Sequence, residues 1–296
     1  MPVILKYFTD YIDGWTANGV RYGFAALLFV PVLLLRRKRI PGGRSIWKAA
    51  IVPSLINIIG QICWAWSPYY NDATVISFVV RCAFPFSILF GFWFLHRERA
   101  LAGSPGFWLG AAGTVLGVIL MYSGSLAHGG SSPFGLFLVL GASACWGLYS
   151  VSVGYYMGGF PSVLAFSVIC VYTAPGLVAL MLVFGEYGSL AELSVFRWSM
   201  LLLSGLMGIS IGHVLMYKII KVLGPIAMEA GHSLIPLGSL IIAAAFLGER
   251  MTGNQWVGGV LLIAGSLGII VPRIYLAKRS PEEAVPADEF VIPPAE

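Results

Sequence analysis

Charge is scarce in this 296-residue chain: Asp, Glu, Lys and Arg make up 10% of it, against roughly 25% in an ordinary soluble domain. So few ionic groups cannot clothe a water-facing surface of this size, and a soluble fold is excluded. Paired cysteines are also lacking. Cys63, Cys82, Cys145 and Cys170 show no Cys-x-x-Cys and no paired spacing, so they read as small packing residues and not as a disulfide framework or metal site. There is no Gly-x-x-x-x-Gly-Lys-Ser/Thr loop to cradle a nucleotide, and no His-Glu-x-x-His. Any work the protein does therefore draws on a gradient, and no cofactor, metal or catalytic residue is assigned. Alternation of polar and apolar residues over about 10 positions, the mark of a membrane β-barrel strand, is missing as well.

What is present is apolar: 58% of residues are hydrophobic and the mean hydropathy is +0.86. They fall in runs of about 20, the length at which an α-helix crosses about 30 Å of hydrocarbon. Nine such runs are predicted, at 16–35, 47–66, 73–95, 106–124, 134–156, 162–184, 198–220, 225–247 and 255–275. The fold class expected is thus an all-α integral membrane bundle, in contact with membrane lipids.

The net charge of +5 is explained by topology and not by nucleic acid. With loops alternating across the nine spans, thirteen cations gather on one side, among them Arg36 to Arg39, Arg97, Arg99, Lys218 and Lys221. The other side receives Lys6, Arg197 and Arg250. Lys and Arg concentrate on the cytoplasmic side of membrane proteins, which places the C-terminus inside a multi-pass protein of the cytoplasmic (inner) membrane. Residues 277–296, rich in proline and acids, read as a disordered cytoplasmic tail.

Shifting the chain by 151 residues superposes Trp47 on Trp198, Pro85 on Pro236, Glu98 on Glu249 and Arg99 on Arg250. Hydrophobic bias does not supply such coincidences. Trp108, Gly110 and Gly117 then match Trp256, Gly258 and Gly265 after a three-residue difference in loop length. The halves, 1–125 and 133–276, are repeats. Five helices separate each element from its copy, an odd number, so the copies cross the membrane in opposite directions. Inverted repeats of this kind recur in alternating-access transporters.

The segment from Ala83 to Arg99 carries Pro85 and ends in His96-Arg97-Glu98-Arg99. Its copy from Leu234 to Arg250 carries Pro236 and ends in Gly248-Glu249-Arg250. These segments, with Asn18-Gly-Val-Arg21-Tyr-Gly, Trp146 and Gly224-Pro225, resemble the drug/metabolite transporter superfamily and within it the EamA-type transporters. His96-Arg97 departs from the family's small residue and glycine. The resemblance implies five helices plus five, whereas four plus five are counted here, so the start of the first repeat is expected to lie upstream of Met1. It also implies a secondary transporter, an exporter of a small organic solute such as an amino acid or metabolite. A lipid-linked or sugar-linked substrate carrier is the alternative, and an intramembrane enzyme a more distant one.

An ionisable group within hydrocarbon costs about 2.5–3.5 kcal/mol on insertion scales, which makes it a site candidate by default. Arg81 and His232 occupy equivalent repeat positions, each four residues before a proline. A proline at i has no N–H for the carbonyl of i−4, so both residues combine a polar side chain with a released carbonyl. Arg81 points to an anionic substrate group or to a structural carboxylate partner. Glu229, one turn before His232, is either that partner or a proton-coupling group beside the imidazole. Arg21 either reaches the pathway or snorkels. Asn57, Gln61, Tyr149 and Tyr172 line a cavity or bond neighbouring helices. His213 and Lys218 fall toward the cytoplasmic end of their helix. Gly113-x-x-x-Gly117 and Gly208-x-x-x-Gly212 allow close helix contact, within one chain or in a homodimer.

Overall fold

A computed structural model describes residues 2–36, 46–126, 132–235 and 252–279. In chain order its α-helices are α1 (Pro2–Phe8), α2 (Gly14–Arg36), α3 (Ile46–Tyr70), α4 (Ala73–Val79), α5 (Ala83–Phe94), α6 (His96–Arg99), α7 (Pro105–Leu126), α8 (Pro133–Ser152), α9 (Ser162–Phe184), α10 (Val195–Gly205), α11 (Gly212–Leu223), α12 (Pro225–His232) and α13 (Gly253–Arg279). Among the described residues seven segments are long and apolar enough to span a membrane: 14–35, 46–70, 75–94, 133–157, 162–184, 195–223 and 253–272. Pro105–Met121 is a shorter apolar helix at the place of the expected 106–124 run. The expected span 225–247 is described only as far as residue 235, and Pro236, Glu249, Arg250 and the tail from Ser280 lie outside the described residues.

Local chemistry sets the helix ends. The Asp13 carboxylate accepts from the N–H groups of Trp15 and Thr16 at 2.8 and 3.0 Å, satisfying donors that the start of α2 would otherwise orphan. Ser132 accepts from the Gly135 N–H at 2.9 Å, with Pro133 in the first turn of α8. Arg99 donates to the carbonyls of Phe92 and Trp93 at 2.8 and 2.9 Å, closing α5 in the structural role that its place at a helix end suggests. Gly224, at φ +87°, makes the turn from α11 into Pro225 at the head of α12. A Cβ there would meet Glu98 Oε1 at 2.3 Å, so glycine is required on both counts.

The helices are apolar on nearly every side, and the sides they leave uncovered carry Leu27, Leu35, Leu109, Phe137, Leu182 and Val222, the surface a lipid-facing bundle presents. Inside, repeat partners pack on each other. α2 lies along α9, where a Cβ on Gly19 would overlap the Met181 side chain at 2.6 Å. α7 lies along α13 so closely that a Cβ on Gly117 would fall 2.6 Å from the Leu262 nitrogen and 2.7 Å from the Gly258 oxygen. One on Gly265 would fall 2.4 Å from the Thr114 nitrogen and 2.5 Å from the Gly110 oxygen. Gly110 and Gly117 are the repeat equivalents of Gly258 and Gly265, so each glycine meets its counterpart's neighbour in reversed order. Gly113 belongs to this intrachain seam too, and its Cβ position lies 3.4 Å from the Gly265 Cα. The largest buried cluster among the described residues joins α2, α3, α8, α9 and α11, with Tyr22, Tyr149, Phe166, Ile169 and Tyr217 among its members.

Candidate functional site

Proline leaves its mark where the chemistry requires. The span over residues 75–94 is not one continuous α-helix: α4 stops at Val79, Val80–Cys82 tighten into a 3₁₀ turn, and α5 resumes at Ala83, two residues before Pro85. Arg81 is in that turn. On the other repeat, α12 ends at His232 and Ser233 begins a turn. The residue four positions beyond His232 is Pro236, which has no N–H to give its carbonyl.

That carbonyl is taken by Arg81, whose Nη1 donates to the His232 oxygen at 2.6 Å. The two residues are 151 apart, the register of the repeat. Arg81 stands six residues into its span and His232 seven residues beyond Pro225, about 9–10 Å of helix rise in each case. The bond therefore joins equivalent positions of the two sequence repeats. Glu229 Oε2 lies 3.6 Å from His232 Nδ1, one turn away on the same helix face.

Around this junction opens a cavity of about 320 Å³, lined by side chains from α2 (Arg21), α3 (Gln61, Trp64), the 3₁₀ turn (Arg81), α8 (Trp146, Tyr149), α11 (His213, Met216) and α12 (Glu229, His232). Met207, Gly208 and Ile209 complete one wall from a π-helical stretch, Leu206–Ile211, between α10 and α11. Single π turns inside α-helices often mark functional sites, because the wider turn displaces backbone groups from the regular ladder. Here His213 Nδ1 lies 2.9 Å from the Ile209 oxygen, and its ring stacks on Phe166 at 5.1 Å and 24°. Trp64 and Trp146 meet at 4.7 Å and form an aromatic wall. Tyr149 and Tyr217 share a hydrogen bond through their hydroxyls.

Arg21 is the most constrained group in the cavity wall. It is 3% exposed, and among the described residues neither its Nε nor its Nη1 has a hydrogen-bond partner. Its backbone is held against α10, where a Cβ on Gly205 would meet the Arg21 oxygen at 3.2 Å. One turn earlier, Asn18 donates to the Gln61 carbonyl at 2.7 Å and ties α2 to α3.

Six of the eight residues singled out from sequence, Arg21, Gln61, Arg81, Tyr149, Glu229 and His232, line this one cavity. Asn57 does not. It is fully buried and bonds Tyr22 at 3.1 Å and Thr173 at 3.4 Å, joining α3 to α2 and α9. Tyr172 is 37% exposed and packs edge-on against Trp47 at 5.9 Å, away from the cavity. His213 and Gly208-x-x-x-Gly212, which the sequence singles out only by helix position and by small-residue spacing, also line the cavity. The signal for them was available: a histidine and two glycines inside an apolar span, where polar and backbone-exposing residues face protein and not lipid. Among the described residues no group of three or more His, Cys, Asp or Glu is arranged to hold a metal.

The described residues thus form an all-helical bundle of membrane-spanning length around a cavity, and comparison with known proteins identifies a membrane transporter. The chain belongs to the EamA-like transporter family, which it matches over residues 1–123 and 133–271. It is 26% identical over 271 residues to the uncharacterized inner membrane transporter YedA of Escherichia coli K12, an alignment covering 88% of this chain and 83% of that one. YedA of E. coli O157:H7 matches to the same extent. A crystal structure of a protein 15% identical in sequence shares the fold, with a TM-score of 0.62 over 94% of this chain and 95% of the other.

Proposed function

We propose that this transporter is a secondary carrier of the inner membrane, C-terminus cytoplasmic, that exports a small organic solute through the 320 Å³ cavity by alternating access. One observation carries the reading: Arg81 crosses from one repeat to the released carbonyl of its own counterpart, His232, at the wall of a cavity of about 320 Å³. A volume near 300 Å³ is at the small end of small-molecule sites. A bond between equivalent points of inverted repeats remains near the centre while the halves exchange inward-open and outward-open shapes. Proton coupling is assigned to the pair formed by Glu229 and His232, whose Oε2 and Nδ1 lie 3.6 Å apart at the cavity wall.

The test is flux in proteoliposomes: a panel of labelled metabolites, with and without an imposed proton gradient, using wild type and Arg81→Ala. Saturable, gradient-dependent flux that falls at least tenfold in Arg81→Ala is expected. Wild-type flux no faster than in empty vesicles, across the panel, would remove the reading.

A second reading, a lipid-linked substrate carrier, is favoured by one feature. A separate apolar cavity of about 150 Å³, bordered by Phe78, Phe84, Pro85 and Val118, shares Arg81 and Ser233 with the main one and reaches Val115 and Ile119, partly exposed on α7. Flux of water-soluble metabolites distinguishes the two, because a lipid carrier would move only chain-bearing substrates.

A further inference from the structure

We infer that Tyr149, Phe166 and Tyr217 form the closed gate of the main cavity toward the face that carries the α8–α9 turn, and that the hydrogen bond between the two tyrosine hydroxyls is its latch. The inference rests on the transport reading for what passes the gate, and on separate observations for where the gate lies.

The first is a change of surroundings along two helices. Tyr149 of α8, with His213 and Met216 of α11, lines the 320 Å³ cavity. One turn further on, Val153 beyond the end of α8 and Tyr217 and Ile220 of α11 line a second cavity of about 10 Å³. The two cavities share no lining residue. The smaller one reaches Phe160 and Ser162 at the α8–α9 turn and Lys221, which is exposed. Its volume admits about one water molecule and no metabolite. The route between α8, α9 and α11 is therefore shut, and the Tyr149–Tyr217 contact marks the boundary.

The second is the make-up of that boundary. Three helices each send one aromatic ring to it, Tyr149 from α8, Phe166 from α9 and Tyr217 from α11, and all three are buried. The hydroxyls of Tyr149 and Tyr217 bond each other. Phe166 stacks on His213 at 5.1 Å on the cavity side and meets Tyr217 edge-on at 5.9 Å on the other. Three large rings close the passage, and the one polar contact among them makes the closure specific. A buried hydroxyl without a partner is costly, so the tyrosines part only when water fills the passage and takes up both hydroxyls. Closed and open arrangements are thereby favoured over anything between.

The third is slack in the backbone on both sides of the latch. Val153–Met157, the extension of α8 just past Tyr149, is π-helical, and so is Leu206–Ile211, which leads into α11 before Tyr217. A π turn interrupts the regular ladder and lets the helix on one side of it shift against the other. By contrast α9, which carries Phe166, is α-helical throughout Ser162–Phe184. It is the fixed jamb, and the end of α8 and α11 are the leaves that move. The leaves touch at Gly154, where a Cβ would lie 3.4 Å from Ile220 Cγ2.

The experiment reads the gate apart from flux. Oriented proteoliposomes carry the full chain with Ser233→Cys as its one cysteine, Cys63, Cys82, Cys145 and Cys170 being replaced. A membrane-impermeant thiol reagent is added on the face that bears the α8–α9 turn. Tyr217→Phe, which keeps the ring and removes the latch, is expected to raise the modification rate about three- to tenfold, the fold-change one typical hydrogen bond is worth. Tyr217→Ala raises it further, and neither variant raises the rate from the opposite face. Tyr22→Phe removes another buried hydroxyl, bonded to Asn57 outside the boundary, and leaves the rate as it was. In a second arm Gly154→Cys and Ile220→Cys, in the cysteine-free chain, are oxidised to a disulfide that staples the leaves. Flux of the labelled metabolites is expected to stop and to return on reduction.

A rate unchanged in both Tyr217 variants, an equal rise from both faces, a rise in Tyr22→Phe matching that in Tyr217→Phe, or undiminished flux through the cross-linked protein overturns the inference. If Tyr217→Ala fails to fold, Tyr217→Phe and Tyr149→Phe decide. Labelling that responds as expected in a protein without flux would retire the transport reading and leave the gate standing. Wild-type flux with labelling indifferent to both tyrosines would do the reverse.

Discussion

Two places in this molecule are built from repeat-equivalent residues, and they have diverged to different degrees. Along the α7–α13 seam the equivalents are identical: Gly110 and Gly258, Gly117 and Gly265, each with no room for a Cβ against the opposing backbone. At the cavity they differ, arginine facing histidine across 151 residues, with Arg81 donating to the His232 carbonyl. The seam answers only to packing, which a two-fold arrangement solves in the same way twice. In the carrier we propose, the cavity holds an asymmetric solute, and its two halves specialise accordingly. Symmetry retained is the signature of scaffold here, and symmetry lost is the signature of function.

That contrast can be broken at either end. The largest effect is expected at the seam. Gly265→Val places a branched side chain where a single Cβ already falls 2.4 Å from backbone, and no monodisperse protein should be recovered by size exclusion. Gly117→Ala should still fold but lose about 1–3 kcal/mol, read as a clear drop in melting temperature in detergent. Next comes Glu229→Gln, which keeps the shape of the side chain and removes the carboxylate. Proton-driven flux should disappear while solute binding persists, and flux that responds to a pH gradient as in wild type would separate Glu229 from coupling. Asn57→Ala should cost about 1–2 kcal/mol of stability through the lost bonds to Tyr22 and Thr173, with solute affinity unchanged in equilibrium binding. Smallest of all, Tyr172→Phe should leave melting temperature and flux as they are, because the ring packs on Trp47 at a half-exposed surface.

The sequence made the architecture readable because hydrocarbon imposes so strict a rule. Runs of about 20 apolar residues are legible as helices, and ionic groups between them as loops. Proline chemistry was equally legible: the break at residues 80–82 and the capture of the His232 carbonyl follow from a missing N–H. Facing was not legible. A helix apolar on every side has no moment to tell lipid from protein, so Asn57, which ties α3 to α2 and α9, and Tyr172, which looks outward, could not be separated from Gln61 and Tyr149 in the cavity wall. The same blindness hid His213, whose Nδ1 lies 2.9 Å from the Ile209 oxygen of the π-helical stretch and which lines the cavity. Nor does a sequence reveal which of two arginines already has its donors spent. Arg81 gives Nη1 to a backbone carbonyl, while Nε and Nη1 of Arg21 are buried without a hydrogen-bond partner among the described residues, a distinction that only the packed structure draws.

The central claim, a single cavity at the repeat junction that opens to each side in turn, is tested most directly by access to one atom. Ser233, buried beside Arg81 and part of the cavity wall, is replaced by cysteine in a background where Cys63, Cys82, Cys145 and Cys170 are serine or alanine. Oriented proteoliposomes then receive a membrane-impermeant thiol reagent on one face or the other. The account predicts modification from both faces, with the balance shifting when a proton gradient is imposed. Modification from one face alone, whatever the gradient, would contradict it.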